Sequence, residues 1–247
     1  VTTADEVRGI LKAYKDAGAT PLSKLKYAPS DALSVTSFSF DMGKMYEAIM
    51  KTANAINPGA SGFMNMMFLN VQSQYGVDVL TSIVKNISGE HLAVYRPLDP
   101  EIKRKSEGMG MPAGASQAFY FGLKNGDQVV NAAQTLLDGI KKNNPQAADA
   151  MQIEEKQGIT VIKMSETQGM GLPMKPALAI SKDALVLTNN EIEMQEVIRA
   201  LTGNLASSIT EDPELKQALE QVDRSNIYAF GFSSQKAMSE SLDQMRT

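Results

Sequence analysis

The chain has 247 residues, with 24 Lys and Arg against 28 Asp and Glu, a formal net charge of -4 and a pI near 5.2. That balance excludes the basic face of a nucleic-acid-binding module, and 43% hydrophobic with 21% charged residues excludes a wholly disordered chain. With no cysteine and one histidine, His91, the sequence also excludes disulfide scaffolds, thiol nucleophiles, Cys-based zinc or iron–sulfur centres and multi-histidine metal sites.

Thr3-Ala4-Asp5-Glu6 reads as a capping box ahead of Val7, Ile10, Leu11 and Tyr14 at helical spacing, with Gly18 as the stop. A polar connector between Pro21 and Pro29 leads into a strand over 32–40. There Leu33 and Val35, then Phe38 and Phe40, alternate with small residues, and the phase change at Thr36-Ser37 asks for a bulge. Asp41 caps a helix striped by Met42, Met45, Tyr46, Ile49 and Ala53, which Asn57-Pro58-Gly59 breaks. A second helix from Ser61 carries Phe63, Met66, Met67 and Val71. Asp78 caps a third, with Leu80, Ile83, Val84 and Ile87 on one face.

Residues 91–95 read as a short strand and 101–116 as a loop. A strand over 118–123 enters a helix capped by Asp127, with Val130, Ala133, Leu137 and Ile140 inward. A strand follows over 159–164, then a hairpin from 177–180 to 184–187. Asn190 caps a helix carrying Met194, Val197, Ile198 and Leu201. Asp212-Pro213 opens another with Leu215, Leu219 and Val222. A strand over 226–232 and a helix with Met238, Leu242 and Met245 complete the chain. No run of about 18 apolar residues occurs, so no membrane span is expected. A start at Val1 rather than Met points to processing or trimming upstream, as removal of a signal peptide would leave.

The chain repeats itself. Val35-Thr-Ser-Phe38-Ser-Phe40 with Lys44 and Met45 matches Tyr228-Ala-Phe230-Gly-Phe232 with Lys236 and Met238, each a Phe-x-Phe strand leading into a Lys/Met helix. Gly108-Met109-Gly110-Met111-Pro112 is echoed by Gly169-Met170-Gly171-Leu172-Pro173. Duplicated strand–helix units mixed with hairpins predict an α+β fold, a largely antiparallel sheet with helices packed on one face. The expected organisation is an N-terminal helix and connector over 1–31, a first α+β repeat over 32–105 and a second over 106–232. A terminal helix over 233–247 then opens a further unit.

Candidate chemistry is sparse. His91 follows Gly89-Glu90 with no signature supplying a nucleophile or carboxylate beside it, and reads as an edge or surface histidine. The Gly108 and Gly169 loops lack the third glycine and following helix of a dinucleotide loop, and Ser116 lacks a nucleophile elbow. Glu154-Glu155 and Glu211-Asp212 are sequence neighbours, which on a helix point about 100° apart. Lys103-Arg104-Lys105 is too small a patch to hold an anionic membrane. The fifteen methionines are the distinctive feature. Met109, Met111, Met170 and Met174 place four thioethers in two echoing loops, open to soft-metal ligation, to an adaptable contact surface or to packing. The contact surface is the role assigned to these four; no cofactor or metal is expected.

The run Leu178-Ala-Ile-Ser-Lys-Asp-Ala-Leu-Val-Leu-Thr-Asn189 is followed by a helix, Gly203, Ser207-Ser-Ile-Thr-Glu-Asp-Pro-Glu-Leu215 and Asn226-Ile-Tyr-Ala-Phe230. With Leu123-Lys124-Asn125-Gly126-Asp127 and Gly158, this order resembles the bacterial DUF3352-type proteins over about residues 33–232. The resemblance implies a duplicated α+β domain in secreted or envelope-associated bacterial proteins and brings no catalytic residue with it. The expected function is a non-enzymatic, extracytoplasmic binding or structural module whose Gly/Met loops meet an envelope protein. The alternative is a small-molecule or lipid carrier, holding a small apolar ligand between the sheet and the helices of 42–87.

Overall fold

At Asp41 the chain turns from strand to helix. In the computed structural model, which describes residues 9–57, 59–108, 114–145, 151–164, 175–223 and 227–235, strand β1 (Ser34–Asp41) ends on this residue. Its Oδ1 accepts the Lys44 amide at 2.9 Å and so opens α2 (Met42–Ile56). Helix α1 (Gly9–Ala17) and a 3-10 turn (Ser23–Tyr27) precede β1. Helix α3 (Ala60–Tyr75), the single turn α4 (Val79–Ser82) and a 3-10 turn (Val84–Asn86) lead to β2 (Ser88–Arg96). Then follow α5 (Pro100–Gly108), β3 (Ser116–Gly122), α6 (Gly126–Asn143), β4 (Met151–Lys156), β5 (Ile159–Met164), β6 (Ala177–Ile180) and β7 (Ala184–Thr188). Helix α7 (Glu191–Leu201), a 3-10 turn (Ile209–Glu211), α8 (Pro213–Glu220) and β8 (Ala229–Ser233) close the described chain.

The strands form one sheet in the order β4-β5-β6-β7-β3-β2-β1-β8, each neighbour antiparallel. The fold is therefore α+β. Register places Val35 opposite Val94, Leu92 opposite Tyr120, Tyr120 opposite Val186, Val186 opposite Ala179 and Ala179 opposite Val161, one row on one face. That row packs with Leu25, with Met194, Val197 and Ile198 of α7, and with Ile209 and Leu215 into the main core.

A second cluster lies on the opposite face, where Leu178, Ile180 and Leu185 meet Val129 and Ala133 of α6. Helical cover thus extends to both faces, where the sequence placed it on one. The reason is written in β6 and β7, whose Ala-Leu-Ala-Ile and Ala-Leu-Val-Leu runs are apolar at every position, the pattern of strands buried on both sides. The same reasoning removes the expected bulge in β1, which pairs with β2 residue for residue. Its phase change puts Val35 on the main-core face and Phe40 on the other, and both are buried.

The structure differs from the sequence reading at further points. Residues 100–108 are helix α5 rather than loop: Asp99 Oδ1 accepts the Glu101 amide at 2.9 Å and Pro100 takes the first helical position. The cap of α6 is Asn125, whose Oδ1 accepts the Gln128 amide at 3.1 Å, not Asp127. Glu154 and Glu155 lie on strand β4, which pairs with β5 through a turn whose residues Gln157 and Gly158 have φ 55° and 76°, so these carboxylates project to opposite faces. At Gly126 a side chain would collide with the carbonyl oxygens of Ser181 and Lys182, so α6 can start only where it has no Cβ. The Phe-x-Phe pairs are not equivalent: Phe230 and Phe232 join the main core, while Phe38 and Phe40 stack against His91 on the other face. The N-terminal capping box and the helix expected over 233–247 lie outside the described residues.

Candidate interaction surface

His91 has the best claim to chemistry by residue type, and the fold withdraws it. It sits on β2, fully buried, with its ring 3.9 Å from that of Phe40 and stacked also on Phe38. The Gly122 amide donates to Nδ1 at 3.2 Å, so Nε2 carries the proton and donates to the Phe40 carbonyl at 3.1 Å. Both ring nitrogens are committed to backbone, which leaves none for a substrate. Burial drives its pKa below the ordinary histidine value. The expected edge or surface histidine is therefore a core residue, placed there because the sheet face that carries it is also covered.

The remaining buried charges are also structural. Glu90 accepts from the Ser23 amide and hydroxyl, the Lys24 amide and the Ser37 hydroxyl, and so anchors the 3-10 turn to the sheet. Arg96 spans Asp31 at 2.8 Å and Glu193 at 3.0 Å, tying the end of β2 to α7. Burial would lower the Arg96 guanidinium, but the carboxylates of Asp31 and Glu193 outweigh it and hold the pKa above its ordinary value. Burial pushes the Glu193 carboxyl up, against the pull of Arg96. Lys124, in the turn after β3, reaches Asp41 at 2.7 Å and joins the starts of α2 and α6. Among the described residues, no group of three or more His, Asp or Glu could hold a metal ion.

The α2–α3 hairpin is built differently. No Asp, Glu, Lys, Arg or His occurs between Lys51 and Asp78, so α3 has no charged residue to mark its outer side. One side faces the protein: Met64, Phe68, Val71 and Tyr75 recur at helical spacing and are half-buried. Phe68 meets Tyr46 of α2 edge-on at 5.8 Å, Tyr46 reaches Asn65 at 3.4 Å, and the Asn54 carboxamide accepts the Ser61 amide at 3.2 Å. Tyr75 packs against Gly139 of α6, and Asn143 donates to the Gln74 carbonyl at 2.9 Å.

The other side of α3 faces solvent. Phe63 is 67% exposed, Met66 64% and Met67 47%, with Asn70 and Gln74 continuing the stripe at i+7 and i+11. Leu69 and, on α2, Ile49 and Ile56 are exposed as well. The sequence set Phe63, Met66, Met67 and Val71 on a packed stripe; only Val71 turns inward, because a helix apolar nearly all round has no phase to read.

Met109, Met111, Met170 and Met174 lie outside the described residues. The strands that flank their segments are described, and register puts Arg96 beside Ser116 and Lys163 beside Ala177, with Thr188 opposite both Ala118 and Ala177. Strands β3 and β6, which follow the two Gly/Met segments in sequence, therefore begin at the same end of the sheet. Of the surface depressions, one of about 460 Å³ lies between Val77, Asp78 and Ser82 and the first turns of α6, where Asn125, Gln128 and Asn131 line it. Another, of about 440 Å³, is bordered by Tyr27, Gly158, Lys182 and Asn204. Both open to solvent and neither is an apolar chamber. Compared with known proteins, the chain matches no family model, no curated protein and no solved structure.

Proposed function

We propose that the chain is a non-enzymatic binding module acting outside the cytoplasm, and that its contact element is the outward side of the α2–α3 hairpin. One observation carries the reading: α3 is a four-turn helix without a charged residue, presenting Phe63, Met66 and Met67 to solvent. A helix that works only as scaffold shows charge to water, and a contiguous apolar patch of several hundred Å² marks a contact site. Unbranched methionines suit such a site because they repack around a partner. The extracytoplasmic location rests on the resemblance to envelope-associated proteins. The start of β3 and of β6 at one end of the sheet supports a second contact element through Met109, Met111, Met170 and Met174.

The reading is tested by placing the photo-cross-linker benzoylphenylalanine at Phe63, and separately at the exposed Lys216 on α8, in the cells that make the protein. An adduct at position 63 and none at position 216 is expected. No adduct at 63, or equal yields at both, overturns the reading.

A further inference from the structure

Resting on that contact surface, we infer that its occupant is a second copy of this chain, with the α3 helices of two protomers packed side by side about a two-fold axis. The area fits. At roughly 200 Å² for each fully exposed side chain of this size, Ile49, Ile56, Phe63, Met66, Met67 and Leu69 leave on the order of 700 Å² open, close to the roughly 800 Å² each partner contributes to a stable interface. The charge fits as well. Each copy carries a net charge of -4, yet the 26 residues from Thr52 to Val77 carry none, so two copies meet here without like charges opposed. A strongly charged partner finds nothing on this side to pair with.

The spacing fits a helix pair in particular. Phe63, Met66, Asn70 and Ser73 follow one another at intervals of three, four and three, the spacing of a coiled-coil seam, apolar in its first half and polar in its second. Asn70 stands mid-seam, flanked by Met66 and Met67 on one side and Ser73 and Gln74 on the other. Its carboxamide carries both a donor and an acceptor, so two copies satisfy each other across the axis, and slippage by a turn would break that mutual pair and set one of them against Met66.

The test uses the full chain in light scattering from about 1 to about 100 µM, where a micromolar association shows. Wild type is expected at twice 26.7 kDa at the upper end of that range. Met66→Glu and Met66→Lys should each weaken the pair at least about tenfold, and mixing the two should restore it. Circular dichroism should not change, nor should the melting temperature at concentrations too low for pairing, since Met66 is largely exposed in the single chain. Because the chain has no cysteine, Asn70→Cys gives one thiol per protomer, and diamide should convert it to a disulfide-linked pair. A wild-type monomer throughout the range, a dimer indifferent to Met66→Glu, or an Asn70→Cys chain that stays single overturns the inference. An adduct at position 63 whose added mass is not that of this chain sinks the self-pairing while keeping the contact surface; no adduct there sinks both.

Discussion

Helices α7 and α3 are both striped with large apolar residues, and they end in opposite environments. In α7 the apolar side is sealed: Met194 and Val197 have no exposed surface. In α3 three of the largest side chains stand in water. The difference lies less in the apolar residues than in the charges between them. Glu191, Glu196 and Arg199 fix which way α7 rolls, and its one inward charge, Glu193, is met by Arg96. Helix α3 has no such markers, so its orientation is set only by what α2 and α6 offer to one side of it. An apolar stripe makes a helix able to pack; charge on the opposite side says which stripe does.

Substitutions in the sealed region should be costly. Met194→Ala should lower stability by about 4 kcal/mol in urea unfolding, the cost of a core cavity with no room to relax. Arg96→Met should cost about 3 kcal/mol, because Glu193 is left buried without its partner, and Arg96→Met with Glu193→Leu together should recover at least half of that. Full additivity of that pair would show that the ion pair is not the coupling. Gly126→Ala should cost about 2 kcal/mol by forcing α6 away from the turn between β6 and β7.

A smaller effect is confined to acid. Histidine has an unfolded value of 6.5, and His91 is held below it in the fold, so the unfolded chain binds the extra proton first. Stability is complete above that value and declines as pH falls through it toward the folded pKa. His91→Phe should flatten this part of the pH profile, and an unchanged slope would show that His91 is not its source. The least effect is expected at the open region, where Met66→Ser should change stability by no more than about 0.5 kcal/mol. A loss comparable to that of Met194→Ala would erase the contrast between the two helices.

Strand positions with strong turn chemistry were legible. The 177–188 hairpin, the strand over 159–164, and the caps at Asp41, Asp78, Asn190 and Asp212 all stand where local side-chain chemistry puts them. Two elements were hidden by composition. In β4, Gln-Ile-Glu-Glu-Lys carries too much charge to read as a strand, although the Gln157-Gly158 turn was the signal for it. Helix α5 begins with Asp99-Pro100, the same start that was legible at Asp212-Pro213, but two nearby prolines and a glycine-rich sequel masked it. The candidate surface was the least legible part. Which side of α3 meets water depends on α6, more than 60 residues onward, and no local pattern carries that information.

Strand β1 has neighbours of very different age in the growing polypeptide. Its β2 partner leaves the ribosome soon after it, whereas β8 pairs along its other edge from nearly the far end of the described chain. Until then the amides and carbonyls of that edge have no strand to bind, and such an edge recruits other nascent chains as readily as its own. The sheet therefore cannot close until the residues of β8 have been made. Truncation ahead of residue 229 should leave a protein that is sticky rather than merely shorter.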